Sequence, residues 1–395
     1  MARFPISNVK ALMISPPEAN IPGQTAAVIL SRLPLRWSAE DRWLASARDA
    51  VEKIKTEKRT IISSYGSSGW EYITWYAGRV GVPAVVIIPP TAPERLDFLV
   101  GKALHDLDIA SDSVTLAMPL VEKKLGKEEA LHCRDLMVAK LSDVLYPVAI
   151  RPGGFWEAIL ANTASVVKDF QIDYPKPRKY LDFENSVKSD EGEKFPWSDY
   201  LVHLTRGAYG PWAGERMADY FAALTEEKAG NPRDELATLT YILNSGILRG
   251  SGSVIRGGVP VISFSSLPPY ELLAEESNRA RLHGAGFQPY GIALPKDLLI
   301  GVGAKPVIYG PGSAFKTLPD TDKPFFQARG GNRSNKSTID WSRESEYRLA
   351  GDLDLTSLKE EIVALVPSRE VADQIGQIGY RALSLFEQVP KSPNK

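Results

Sequence analysis

Between residues 10 and 168 short apolar runs alternate with longer stretches whose apolar positions recur every three or four residues. Lys10 to Ser15, Arg59 to Ser64, Ala84 to Pro89, Ser113 to Met118 and Leu145 to Ile150 read as strands. A helix is predicted from about Ser38, with Trp43, Ala47, Val51 and Ile54 on one face. Ser38 is placed to cap it, with Asp41 three residues on. Further helices are predicted over Ser67 to Val80, Glu128 to Ser142 and Gly153 to Val167. Strands alternating with helices imply parallel pairing through crossover helices. Residues 1–168 are therefore expected to form an α/β doubly wound parallel sheet of Rossmann-like kind.

The pattern then changes. Residues 171–199 are rich in charge and proline and lack periodicity, so 169–199 reads as a linker. Residues 200–395 are strand-dominated. Leu201 to Thr205, Val259 to Ser266, Gly291 to Pro295, Lys305 to Gly310 and Glu346 to Leu349 read as strands. Helices are predicted over Asp234 to Asn244, ended by Gly246, over Glu271 to Leu282, and over Ser368 to Phe386. Residues 311–338 read as a long polar loop with five basic residues, Lys316, Lys323, Arg329, Arg333 and Lys336, against two acidic ones. The second half is thus expected to be an α+β domain.

Composition narrows the function classes. Lys plus Arg is 47 and Asp plus Glu is 48, a net charge of -1, which excludes a chain-wide basic surface for nucleic acid. The single cysteine, Cys133, excludes an intrachain disulfide and any multi-cysteine zinc site. Four separated histidines and no HExxH give no reason to expect a metal. Aliphatic runs such as Ala84 to Ile88 are far too short to span a bilayer, so no membrane partner is expected. The start, Met1 to Pro5, lacks a signal-peptide core, which makes the cytoplasm the expected compartment.

Two strand-to-helix turns carry small residues, SYGSSGWEY (Ser64 to Tyr72) and RPGGFWE (Arg151 to Glu157). Both follow strands, where ligands bind in open α/β sheets, and such turns let backbone N–H groups approach a phosphate. An empty tight turn would look the same. With the Arg134 to Asp143 stretch, RDLMVAKLSD, these segments resemble the Rossmann-like domain of the DNA-processing protein A family, within the SLOG superfamily of nucleotide-binding proteins. The likeness covers roughly residues 59–159. It implies a nucleotide-like small molecule held by Gly66, Ser67, Ser68, Gly69, Arg134, Gly153 and Gly154. Related phosphoribohydrolases carry Pro-Gly-Gly-x-Gly-Thr-x-x-Glu; Pro152, Gly153 and Gly154 match, whereas Trp156 and Glu157 stand where Gly and Thr should be. Ligand binding therefore follows from the likeness more directly than hydrolysis does.

In the second half, HLTRG supplies His203, Thr205 and Arg206 at a strand end. SFSS supplies Ser263 and Ser265 at alternate positions of a strand, hence on one face. DWSRESEYR supplies Glu344 and Glu346, also on one face if extended. Each alone also reads as solvated or structural polarity. Together, Arg, Ser-x-Ser and Glu-x-Glu on successive strands resemble one branch of the ADP-ribosyltransferases, while His-x-Thr resembles another branch that includes DNA-targeting toxins. The order HLTRG, ILNSGILR, PVISFSS, PYGIALPKDLL, GAKPVIYG and DWSRESEYRLAGDLDL also resembles a bacterial family allied to abortive-infection (phage-resistance) proteins. That family usually has Phe-Thr-Glu in the second block, where this chain has Phe264-Ser265-Ser266.

The resemblance implies NAD as substrate. Glu346 would stabilise the oxocarbenium-like ribose and Glu344 would orient or deprotonate the acceptor. Arg206 would hold a pyrophosphate oxygen, and His203, with Thr205 beside it, the adenosine ribose. Ser263 and Ser265 would line the nicotinamide side, with Tyr290 or Tyr309 stacking on the ring. The basic residues of 311–338 would face a polyanionic acceptor or simply water. The acceptor, protein or nucleic acid, stays open, as does a homo-oligomer. So do three rival readings: a non-catalytic nucleotide-binding regulator, a DNA-processing nucleic-acid-binding protein, and a nucleotide glycosidase using Glu71 or Glu157.

Overall fold

The computed structural model describes residues 10–15, 23–34, 36–110, 114–121, 125–163, 165–176, 186–226, 232–252, 255–274, 288–329 and 341–388. They divide into two compact units, Met1–Arg178 with Tyr209–Pro232, and Lys179–Ala208 with Arg233–Lys395.

In the first unit the elements run β1 (Lys10–Ser15), β2 (Thr25–Leu30), α1 (Arg42–Thr56), β3 (Thr60–Ser64), α2 (Ser68–Arg79), β4 (Ala84–Ile87), α3 (Pro93–Asp106), β5 (Val114–Leu120), α4 (Lys127–Leu141), β6 (Val144–Ala149) and α5 (Phe155–Leu160). The strand order is β1-β5-β4-β3-β2-β6. β2 to β6 are parallel and form a Rossmann-like α/β core. β1 is an antiparallel edge strand on β5 rather than the first strand of the winding. That first strand is β2, which alternation alone does not reveal. It lies between two parallel neighbours, every residue is buried, and a run apolar on both faces carries no period of two. From β2 the chain steps outward through β3 and β4 to β5, then returns to the other side of β2 at β6. The winding therefore reverses between β2 and β6, and a crevice at the carboxyl ends of those strands is where doubly wound sheets take ligands.

Helix α1 begins at Arg42, with Asp41 rather than Ser38 at its N-cap position. Asp41 instead accepts the Ser38 N–H at 2.9 Å, closing a turn ahead of the helix. The helix expected over Gly153 to Val167 is only α5; Val166 and Ile172 then bridge to Leu145 and Ala149 of β6. This unit also holds α7 (Met217–Glu226), whose Tyr220 and Phe221 are buried in its core. α6 (Asp190–Lys194) belongs to the other unit.

The second unit contains β7 (Val187–Lys188), α6, β8 (Tyr200–Thr205), α8 (Glu235–Ser245), β9 (Ile247–Leu248), β10 (Val261–Ser265), β11 (Tyr290–Pro295), α9 (Lys296–Gly301), β12 (Lys305–Pro306), β13 (Ile308–Gly310), β14 (Phe326–Ala328), β15 (Glu346–Ala350), β16 (Leu353–Asp354), β17 (Val363–Val366), α10 (Arg369–Gln377), β18 (Arg381–Ser384) and β19 (Phe386–Gln388). Seven strands form a mixed sheet in the order β12-β15-β10-β8-β11-β17-β18, consistent with an α+β domain. Within the stretch expected as linker, β7 pairs with β19, and Phe195 and Trp197 enter the core. The Ser368–Phe386 helix stops at Gln377, and the chain continues as β18, parallel to β17, and β19. Residues 269–274 are helical, while 275–282 of the predicted Glu271–Leu282 helix lie outside the described residues. Gly246 caps α8 in the left-handed conformation, as its position after the periodic stretch implies.

An apolar cluster packs on each face of this sheet. Leu201, Ile262, Phe264, Ile292 and Leu294 pack on one side with Leu239 and Leu243 of α8. Val202, Leu204, Ala293, Val363 and Leu365 pack on the other with Phe195 and Trp197.

Candidate functional site

The two small-residue turns of the first unit follow β3 and β6, which flank β2. Ser67 caps α2 in extended conformation, and Ser68 and Gly69 form its first turn. Gly66 has φ +98°, a value that favours glycine, and its N–H donates to Glu71 Oε1 at 3.1 Å. At the second turn the Gly153 N–H donates to Glu157 Oε2 at 2.7 Å, and Gly154 caps α5. At each turn a carboxylate from the following helix accepts an N–H that a phosphate would use.

Arg134 is buried rather than solvated, at 3 % exposure. Its Nε and Nη2 donate to Asp135 Oδ1 at 2.9 and 2.7 Å, and its Nη1 to the Tyr65 carbonyl at 2.9 Å. It therefore clamps the Gly66 turn onto α4. Burial pushes the Glu71 and Asp135 carboxyl groups above the ordinary carboxylate range. Burial also raises the Tyr65 hydroxyl, which donates to Asp106 at 3.1 Å. The interior beneath this turn thus gathers three carboxyl groups, with Arg134 paired to Asp135 and Lys102 to Asp106. At the switch point itself, the Ser31 hydroxyl accepts the Arg151 N–H at 2.9 Å and ties the ends of β2 and β6 together.

In the second unit, register sorts the predicted residues onto two faces of the sheet. Ser265 lies opposite Glu346, and Ser263 opposite Arg348, so these four share one face. His203 lies opposite Ile292 and Thr205 opposite Tyr290, on the other face, against α8. Alternation thus separates His203, Thr205 and Tyr290 from the serines and Glu346. One contact links the faces. Between β8 and β10 Ser265 lies opposite Val202, and the Ser263 carbonyl lies 2.8 Å from His203 Nδ1. A carbonyl only accepts, so Nδ1 carries the proton. Burial lowers the pKa of this half-buried imidazole. Arg206 is exposed just beyond β8. Burial, then the nearby Glu235 and Asp234 charges, raise the Tyr290 hydroxyl.

Glu346 is the centre of the serine face. The Ser263 hydroxyl donates to its Oε1 at 2.8 Å. Arg348 Nε donates to the same oxygen at 2.9 Å, and Nη2 to Oε2 at 3.3 Å. The carboxylate is 9 % exposed, whereas Ser263 is exposed above it. The segment carrying Glu344 is not extended. Glu344 ends a 3-10 turn, and Ser345 has φ +46°, so the two glutamates do not sit at alternate positions of one strand. The Ser265 hydroxyl donates to the Glu344 carbonyl at 2.6 Å, and the Ser266 N–H to the Ser345 carbonyl at 3.2 Å. The SFSS segment thus grips the turn through its backbone. Tyr309 pairs in register with Gln327, which accepts from Arg348 at 2.8 Å.

Arg348 was not singled out by the sequence; its position two residues after Glu346 on a strand is the only signal. In the basic loop, Lys323 pairs with Asp320 and Lys305 with Asp322 at 3.5 Å, which reduces the patch charge. Arg333 and Lys336 lie outside the described residues. Among the described residues there is no group of three or more His, Cys, Asp or Glu side chains that could hold a metal, and no helix is long and apolar enough to cross a membrane. No protein-family model matches this chain, and no curated protein matches it.

Proposed function

We propose that the chain is a bacterial defence or stress protein in which a nucleotide-sensing Rossmann-like unit is coupled to an NAD-using, ADP-ribosyltransferase-like unit. The observation that carries this reading is the Glu346 carboxylate, oriented by the exposed Ser263 hydroxyl and Arg348. In the proposed reaction the C1′–N1 bond of NAD breaks and nicotinamide leaves with the bonding pair. Glu346 stabilises the positive charge left on the ribose. A nucleophile on the acceptor, or water, attacks C1′ and gives up its proton to Glu344 or solvent. The acceptor is a macromolecule, protein or nucleic acid.

The test is nicotinamide release from NAD by the full chain beside Glu346→Gln. Release is expected, falling about 100-fold or more in the variant, the scale of losing one preorganised charge. No release, with nucleotides and cell extract added, overturns the reading.

A second reading has its own support. Both Glu346 oxygens already face one buried guanidinium, as in a structural ion pair. Breaking such a pair costs about 3–5 kcal/mol. On that reading Glu346→Gln lowers the thermal midpoint and NAD is never consumed, and the chain acts by binding alone.

A further inference from the structure

Arg348 is 3 % exposed, and each of its five N–H groups has an acceptor. Nε and one Nη2 proton go to the two oxygens of Glu346. Nη1 donates to the carbonyls of Phe326 at 3.0 Å and Pro324 at 3.4 Å. The second Nη2 proton goes to Gln327 Oε1 at 2.8 Å. A planar fork with every donor engaged has one orientation, and the carboxylate bound to it inherits that orientation. Neutralising a buried carboxylate needs only a charge. Here the fork also grips residues 324–327, beside Phe325 and Phe326, which are themselves buried.

We propose that Arg348 is the positioning residue of Glu346. It fixes the carboxylate under the Ser263 hydroxyl and makes its placement depend on the 323–329 segment, which carries Lys323 and Arg329. The inference rests on the reading of Glu346 as the working carboxylate. An ammonium cannot replace the guanidinium, since its donors radiate from a single nitrogen and cannot reach both oxygens and two backbone carbonyls.

The experiment measures nicotinamide release from NAD by the full chain as wild type, Arg348→Lys, Arg348→Ala, Gln327→Ala and Glu346→Gln, with the thermal midpoint of each. Arg348→Lys is expected to lose about tenfold or more in kcat with KM for NAD within about threefold, because geometry rather than substrate binding is lost. Arg348→Ala is expected to regain about fivefold or more with millimolar guanidinium, and nothing with methylammonium. Gln327→Ala, which spares four of the five bonds, is expected to lose about two- to fivefold in kcat at an unchanged midpoint. If Arg348→Ala does not fold, the Lys and Gln327 variants decide the matter. Wild-type kcat in Arg348→Lys with an inert Glu346→Gln overturns this inference and leaves the proposed activity standing. A raised KM at unchanged kcat also overturns it, by assigning Arg348 to substrate binding. No turnover by wild type overturns the activity and this inference together.

Discussion

Among the described residues of the second unit, Ser345 is the non-glycine residue with a positive φ. A serine at φ +46° is strained, and it joins the 3-10 turn of Glu344 to the strand of Glu346. Ser345→Gly should raise stability by about 0.5–1 kcal/mol, because glycine adopts that conformation without the Cβ clash. If the strain serves to aim the two glutamates, the same change should lower NAD turnover. Unfolding midpoint and nicotinamide release measured on one preparation check both signs, and a rise in both removes any role for the strain. The first unit offers a pH test. Glu71 is buried and its carboxyl is raised, so the folded chain holds that proton to higher pH than the unfolded chain does. Stability from this group is present below the ordinary glutamate range and is lost as pH rises through the raised value. Glu71→Gln keeps an oxygen for the Gly66 N–H and should flatten that decline, read as thermal midpoint against pH from 4 to 8. An unchanged slope assigns it to other groups. At this scale alternation sets Ser263 and Ser265 on one face of their strand, and the register brings Glu346 to the same face. The sequence alone does not say whether His203 shares that face, because chain order cannot tell which face a neighbouring strand presents. Sequence reasoning passed over Arg348 because a charged residue two positions from another looks like solvated surface until burial is known.

The elements most legible in the sequence are those with one wet face and one dry face, or with a stop signal. α8 is the clearest case. Asp234 accepts the Ala237 N–H at 2.8 Å at its start, and Gly246 closes its end at φ +66°. A Cβ at Gly246 would stand 2.5 Å from Thr356 Cγ2, so Gly246→Ala adds a clash to the conformational penalty. It should cost more than about 1 kcal/mol, while Asp234→Ala, which loses only the cap, should cost about 1. Denaturant midpoints order the two variants, and equal losses would remove the clash from the account. The elements that escaped are the ones whose signal is tertiary. β2 and β17 are buried at every position and carry no period of two, and unlike the equally buried β3 and β4 they do not stand out as strands in the sequence. The C-terminal stretch carries helical periodicity in α10, and pairing of β18 with β17 decides where it ends. The expected linker contained Phe195 and Trp197, whose burial depends on strands far along the chain.

For the whole molecule, the consequential fact is that the first unit is not one continuous stretch. Residues 209–232 leave the second unit between β8 and α8 and supply α7 to the first. Tyr220 and Phe221 are 1 % and 0 % exposed there, with Phe221 edge-on to Tyr72 at 5.4 Å and near Trp75 at 5.7 Å. Arg79 pairs with Glu226 at 3.2 Å, and Arg216 with Asp108. Removing one buried aromatic side chain costs about 3–5 kcal/mol, and a fragment ending at 178 loses both together with the helix that holds them. Cutting the chain where its composition changes, near residue 170 or 200, should therefore damage both halves. A 1–178 fragment should expose Trp37, Tyr72 and Trp75, bind a hydrophobic dye and melt without cooperativity. A 200–395 fragment should carry α7 as an apolar helix without its partner surface and self-associate. The division that respects the packing joins 1–178 to 209–232 by a Gly/Ser link, and 179–208 to 233–388 by another. Differential scanning calorimetry of the four fragments tests this: the two rejoined fragments should melt cooperatively and the two simple cuts should not. Equal cooperativity in all four would mean that α7 contributes little to the first unit's core. The same result governs how a loss of NAD turnover on truncation can be read, since only the rejoined fragments remove one unit without unfolding the other.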